Sequence, residues 1–333
     1  MKQLIHDFPL QLREALQLLE KADFGNILTQ PAFSNIVIAG LGGSGISGKI
    51  AKNLLEPFCT VPIANVYTYD IPAFVGENTL LIACSYSGNT EETLSAFEQA
   101  LQQKAKIFVI TSGGLLAEKA KANHIPYLLI PSGRPPRASF GYALVNIMGL
   151  LEKLGLCGKN NYTAQMPKLA EFLEKEMPNM QEDAKKVANF ILGKIPVVYT
   201  QELNEGIAIR FRQQFTENAK MLGWHHVIPE MNHNEIVGWQ EPQSNLAVLF
   251  LYAGNENERE KIRFDVMQEV VSQHADKNIT QYHLHGKGST WLEKYFYLVL
   301  TLDWASVYLA ELRNQDPTPV KNVDYLKKRL SQG

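Results

Sequence analysis

The sequence predicts an α/β protein of two domains, each a parallel sheet flanked by helices in a three-layer sandwich of the flavodoxin-like or Rossmann-like kind. Apolar runs of strand length recur at 35–40, 62–67, 79–84, 106–111 and 125–130, with helical patterns between them. The same plan restarts further on, with strand-like runs at 195–200, 247–252 and 279–284, as in a weak internal duplication. At 333 residues the chain is also too long for one core of ordinary size. Strand alternating with helix means a parallel sheet covered on both faces.

Taken in order, Asp7-Phe-Pro9 followed by Leu10, Leu12, Ala15, Leu16 and Leu19 reads as a capped amphipathic helix with proline in its first turn. The run at 35–40 is the first strand, and Leu41-Gly-Gly-Ser-Gly-Ile-Ser-Gly48 turns into a helix ending before Pro57. Helices are expected near 91–103, 115–122 and 138–154. The glycine- and asparagine-containing stretch 155–167 places the boundary between domains 1–155 and 156–333. A charged helix near 168–193 opens the second half, one from about Asn204 leads to Glu217, and 289–313 closes it with a long helix.

The stretch 79–93 organises the first half. Its buried strand leads into Ser85-Tyr-Ser-Gly-Asn-Thr90, and Asn89 followed three positions later by Glu92 reads as a capping-type helix start. Hydroxyls, backbone N–H groups and the positive end of a helix dipole then face one spot, which suits a small dianion such as phosphate. An ordinary capped turn needs one such residue, whereas this one holds four and a glycine. The corresponding turn of the second half, Ala-Gly-Asn-Glu-Asn-Glu at 253–258, is acidic and should repel phosphate.

Composition limits the partners. With 45% hydrophobic and 20% charged residues and a formal charge of −2, both signs interspersed, nothing points to nucleic acid or a membrane surface. Cys59, Cys84 and Cys157 lack metal-ligand spacing, the N-terminus has no apolar signal core, and Asp303 interrupts the most hydrophobic stretch, 295–312. A reduced, cytoplasmic protein with a small ligand is expected. Gly40-Leu-Gly-Gly-Ser-Gly45 also satisfies the dinucleotide pattern and keeps a nicotinamide dehydrogenase as an alternative. The acidic residue expected some ~20 positions on has no good candidate, since Glu56 precedes Pro57 and Asp70 lies 25 positions past Gly45.

In the second half, Phe215-Thr-Glu217-Asn-Ala-Lys220 and Pro229-Glu-Met-Asn-His233-Asn-Glu235 offer a carboxylate and an imidazole suited to proton abstraction beside a carbonyl. A solvated glutamate and a hydrogen-bonded loop histidine are the plain alternative. His225, His226, His233 and Glu235 are acceptable zinc ligands by type, but adjacent histidines point apart and the spacing fits no standard site, so no metal is expected.

Gly42-Gly-Ser44-Gly, Ser85-Tyr-Ser87-Gly-Asn-Thr90-Glu-Glu-Thr, Pro136-Arg137, Glu217-Asn-Ala-Lys, Asn232-His233-Asn-Glu and Asp316-Pro-Thr-Pro with Leu326-Lys327 together resemble the bifunctional phosphoglucose/phosphomannose isomerases, built from two sugar isomerase (SIS) domains. The resemblance runs from about residue 34 to the C-terminus. It implies a metal- and cofactor-independent isomerase that interconverts glucose 6-phosphate and mannose 6-phosphate with fructose 6-phosphate through a cis-enediol. Gly43, Ser44, Ser85, Ser87 and Thr90 match phosphate-binding positions, Glu217 the base at C1 and C2, and Arg137, or its neighbour Arg134, the arginine that stabilises the enediolate. His233 matches a ring-opening histidine donated across a homodimer, and Lys327, or its neighbours Lys321 and Lys328, a lysine that assists. Thr318 matches the small residue that leaves room for both C2 epimers. A non-catalytic sugar-phosphate sensor is the rival of another class, although the first 30 residues are too few and too acidic for a DNA-binding module. Another phosphosugar isomerase of the same fold is the rival within the class.

Overall fold

A computed structural model describes every residue except 31, 242, 244, 275–280, 331 and 333. The chain forms two compact units, His6–Glu174 and Lys175–Gly333, the latter joined by Met1–Ile5. The first unit holds α2 (Phe8–Lys21), β1 (Asn35–Ala39), α3 (Gly42–Leu55), β2 (Ile63–Val66), β3 (Thr79–Ser85), α4 (Glu91–Gln102), β4 (Lys106–Thr111), α5 (Gly114–Ala122), β5 (Tyr127–Leu129) and α6 (Phe140–Lys153), following the short α1 (Lys2–His6). Its strands pair in parallel in the order β2-β1-β3-β4-β5.

The apolar runs form strands because both sheet faces are covered. Every residue of β3 is buried. Val37, Leu81 and Val109 point to one face and pack on Ala96, Phe97 and Ala100 of α4 and Leu116 and Ala120 of α5. Alternate residues face the other way, where Ile38 lies against Gly48 of α3. On the same unit α2 packs along α6, with Phe8 and Phe140 stacked at 4.9 Å and Gln11 Nε2 donating to Ala138 O at 2.7 Å. Asp7 stands at the N-cap of α2 without a side-chain cap hydrogen bond, so proline in the first turn, rather than the expected cap, marks this start.

The second unit holds α7 (Met166–Ile191, from its midpoint on), β6 (Ile195–Gln201), α8 (Glu205–Ala219), β7 (Trp224–Ile228), β8 (Leu246–Tyr252), α9 (Glu258–His274), β9 (Gln281–His285), α10 (Trp291–Leu312) and α11 (Lys321–Leu330). Its parallel order, β7-β6-β8-β9, repeats β2-β1-β3-β4 of the first unit strand for strand. Tyr199, Val248 and Phe250 of this sheet share a core with Phe264, Met267 and Val271 of α9. Strand β7 is an addition to the sequence reading, which its two histidines and mixed burial had concealed. The last strand, expected at 279–284, is Gln281–His285, with Ile279 and Thr280 outside the described residues.

The units divide inside α7, whereas the sequence places the boundary at 155/156. The reason is contact rather than loop composition. Arg13 forms a two-pronged ion pair with Glu174, while Trp304 Nε1 reaches Met177 Sδ at 3.2 Å and Tyr297 OH donates to Asp183 at 2.7 Å. Among the described residues no helix is long and apolar enough to cross a membrane.

Candidate active site

In the first sheet the order reverses between β1 and β3, and in open α/β sheets ligands bind beyond the carboxyl ends of the strands at such a point. The two turns leaving those ends are Gly40–Ser44 and Ser85–Thr90. Ser44, 8% exposed, accepts the Tyr86 backbone N–H on its Oγ at 3.1 Å, which leaves its own hydroxyl proton to donate outward. Ser85 Oγ lies 2.9 Å from Thr90 Oγ1 and accepts the Gly88 N–H at 3.1 Å. Ser87 is exposed and accepts from Asn89 N at 3.2 Å. Helix α4 starts at Glu91 with Thr90 as N-cap, one residue later than the capping pattern suggests. Asn89 instead accepts the Leu115 N–H at 3.0 Å, tying the turn to α5.

Two glycines are dictated by close approach. A Cβ on Gly43 would stand 2.4 Å from Pro136 O, so only glycine lets α3 meet the segment that carries Arg137. A Cβ on Gly88 would stand 1.8 Å from Gly113 O, and its φ of +69° is left-handed. Arg137 is buried at 6% exposure, with its backbone N–H beside the Gly43–Pro136 contact, so the segment that carries it adjoins the turn after β1. Burial pushes the Cys84 thiol up to about 12, so the cysteine next to Ser85 is no nucleophile at neutral pH.

The dinucleotide pattern sits in the same turn, but β2 ends at Val66 and is followed by Tyr67, where a dinucleotide fold needs a ribose-binding carboxylate. In the second unit the turn after β8 is taken by the chain's own Glu256, which accepts from Ala253 N at 2.8 Å and Gly254 N at 3.2 Å. That turn therefore already holds an anion, in line with its acidic sequence.

Glu217 lies near the C-terminal end of α8, half-buried, and lines a cavity of about 470 Å³ together with Thr216, Lys220, Asp316, Lys321 and Asn322. Lys220 takes the left-handed C-cap conformation, and its ammonium donates to Glu217 O and, at 2.8 Å, to Pro319 O. The chain after α10 is thereby fastened to the turn that carries Glu217. Of the lysines following Asp316-Pro-Thr-Pro, Lys321 lines this cavity, whereas Lys327 and Lys328 lie further along α11, outside the lining. Thr318 is held by an N–H bond to Asp316 Oδ1 at 2.8 Å and is likewise outside it.

His233 is exposed on the short 3₁₀ turn Glu230–His233 and does not line the Glu217 cavity of its own chain. The loop that carries it is anchored by Glu235, whose Oε1 accepts from Tyr199 OH at 2.6 Å and Trp224 Nε1 at 3.1 Å. His225 faces Glu205 at 3.5 Å, and His226 Nδ1 accepts the Val227 N–H at 2.8 Å. Among the described residues no three such side chains gather as metal ligands. Sequence reasoning did not single out Tyr86 or Lys220 for a role, and it gave Asn89 the helix cap rather than the tie to α5. Only Lys220 carried a signal, as the last residue of the Glu-Asn-Ala-Lys motif.

A hydroxyl-lined turn at the switch point of one doubly wound unit, followed by a second unit of the same strand order, defines the chain as a double SIS-domain protein. Family models agree: residues 32–132 match the SIS domain and 180–330 the bacterial phospho-glucose isomerase C-terminal SIS domain. The chain is 36% identical over 303 residues to the bifunctional phosphoglucose/phosphomannose isomerase of Aquifex aeolicus, covering 90% of this chain and 91% of that one. It is 34% identical to the protein of that name from Caldicellulosiruptor bescii, covering 98% of both. The fold also matches the solved tagatose-6-phosphate ketose/aldose isomerase of Escherichia coli, with a TM-score of 0.71 at 16% identity over 96% of this chain and 94% of that one. The chain belongs to the bifunctional phosphoglucose/phosphomannose isomerase family and is a phosphosugar isomerase.

Proposed function

We propose that this isomerase interconverts glucose 6-phosphate and mannose 6-phosphate with fructose 6-phosphate, without a metal or other cofactor, through a cis-enediol. The observation that carries the reading is the set of hydroxyls of Ser44, Ser85, Ser87 and Thr90 on the segments that follow β1 and β3, a donor set that suits a phosphate-sized anion. Phosphate binding there, with Gly43 allowing the close approach, contributes binding energy remote from the reacting carbons.

Glu217 is the base that moves the proton between C1 and C2, and Arg137 offsets the charge of the enediolate. Ring opening falls to His233, supplied by the second copy in a homodimer, and to a C-terminal lysine. The resemblance favours Lys327 for that lysine, and the lining of the Glu217 cavity favours Lys321. Thr318 leaves space for either C2 epimer, and the working compartment is the cytoplasm.

A coupled assay on chelator-treated protein tests this, following fructose 6-phosphate formation from each aldose phosphate separately. Turnover of both supports the reading. Turnover of glucose 6-phosphate alone removes the second specificity, and turnover of neither points to another phosphosugar.

A further inference from the structure

Along α8, Arg210, Gln214 and Asn218 recur every fourth residue and form one stripe, all buried at 3%, 2% and 0% exposure. Facing them on α10 are Asp303 and Ser306, at 2% and 0%. Arg210 donates to Asp303 Oδ2 from Nε at 3.2 Å and from Nη2 at 2.6 Å, and Gln214 Nε2 donates to Oδ1 at 3.0 Å. Asn218 Nδ2 donates to Ser306 Oγ at 2.9 Å, and that hydroxyl donates to Asp303 O at 2.6 Å. Beyond the stripe, Arg313 Nε donates to Ala219 O, the last carbonyl of α8, at 3.1 Å.

This polar seam runs along a helix whose buried side chains are mostly apolar, Leu298, Val299, Leu300 and Leu302 among them. Burial raises the Asp303 carboxyl pKa above the ordinary aspartate range, with the Arg210 charge and hydrogen bonds pulling the other way. Apolar residues of similar volume hold two helices together at least as well as a buried ion pair does. What they lack is hydrogen-bond direction: the seam's groups keep their partners in one rotation and one axial register of α8 on α10, whereas apolar side chains lose no hydrogen bond when they shift. Glu217 precedes Asn218 on that helix, so its azimuth follows from the seam.

We propose that Asp303 is a positioning residue for Glu217, acting through Arg210 and Gln214, and through Ser306 on Asn218, to hold α8 where the Glu217 carboxylate faces its cavity. The inference rests on Glu217 being the base. A misplacement of about 1 Å at such a group is worth about 10²-fold in rate.

The test uses full-length protein labelled with ¹³C at the glutamate carboxyls, the Glu217 signal being the one missing from Glu217→Gln. Wild type, the double variant Arg210→Met/Asp303→Leu and the milder Ser306→Ala are compared by the ¹³C chemical shift of the Glu217 carboxyl, thermal unfolding, kcat and KM. The expected result is a double variant that melts no lower than wild type, a Glu217 carboxyl signal displaced from its wild-type position, and kcat at least tenfold down with KM within twofold. If the double variant does not fold, Ser306→Ala carries the same expectation with a several-fold loss. A folded variant with the Glu217 carboxyl signal at its wild-type position overturns the inference, whatever the activity. An inactive wild type, or a fully active Glu217→Gln, instead overturns the reading of the reaction.

Discussion

Ser85 Oγ and Thr90 Oγ1 stand 2.9 Å apart across the turn that joins β3 to α4. Each hydroxyl has one proton, so in this pair one proton is spent internally and the other is free to point out of the turn. An anion arriving at the head of α4 meets that proton, and both hydroxyls can turn to it at the cost of one weak mutual bond. The turn is poised to exchange that bond for two charge-assisted ones.

Removing both hydroxyls, by Ser85→Ala with Thr90→Val, should therefore weaken phosphate recognition more than chemistry. Charge-assisted hydrogen bonds are worth about 1.5–3 kcal/mol each, so KM for a hexose phosphate, and the inhibition constant of inorganic phosphate, should rise at least tenfold. Unchanged phosphate inhibition would remove the turn from the binding site.

Glu217→Gln keeps shape and removes basicity. Turnover should drop ~10²–10⁴-fold while inorganic phosphate, read by the shift it causes in melting temperature, binds as before. Near-normal turnover would show that some other group takes the proton.

The lysines separate by place. Lys321 lines the Glu217 cavity and Lys327 does not, so Lys321→Met should cost more kcat than Lys327→Met on closed-ring glucose 6-phosphate. The opposite ranking would favour the assignment drawn from the resemblance.

Gly43→Ala is a backbone test. Its methyl group would stand 2.4 Å from Pro136 O, an atom that cannot rotate away, so stability should fall by about 1–3 kcal/mol as Pro136 and Arg137 are pushed off α3. Chemical unfolding measures the loss, and wild-type stability would mean that the contact is loose.

Acid stability has a traceable contributor in Asp183. Burial alone would raise its pKa, but hydrogen bonds from Lys287 and Tyr297 outweigh burial and hold it below the ordinary aspartate value. A depressed folded pKa stabilises fully above the unfolded value of about 3.9 and loses that contribution as pH falls through the folded one. The stability gap between wild type and Asp183→Asn should thus be widest near neutrality and close in acid. A gap independent of pH would contradict this.

Much of this was written locally. Strands buried on both faces show as unbroken apolar runs, the hydroxyl turn declares itself by composition, and Glu217 stands in a recognisable motif. Two features were not legible there, for different reasons. The compact units meet in α7 rather than in the loop at 155–167 because side chains such as Glu174 and Met177 find their neighbours at a distance, and β7 carries no apolar run because an edge strand need not be apolar.

Asp303 shows the division most clearly. From the sequence it was one charge interrupting a hydrophobic stretch, and nothing nearby says what it pairs with. Its partner Arg210 is 93 residues away, as Tyr86 is 42 from Ser44 and Pro319 is 99 from Lys220. Periodicity and turn chemistry act over a few residues and are decided by the sequence itself. Which lysine reaches the Glu217 cavity, and what fixes the helix bearing that glutamate, depend on contacts that exist only once distant segments have packed, and only the tertiary structure decides them.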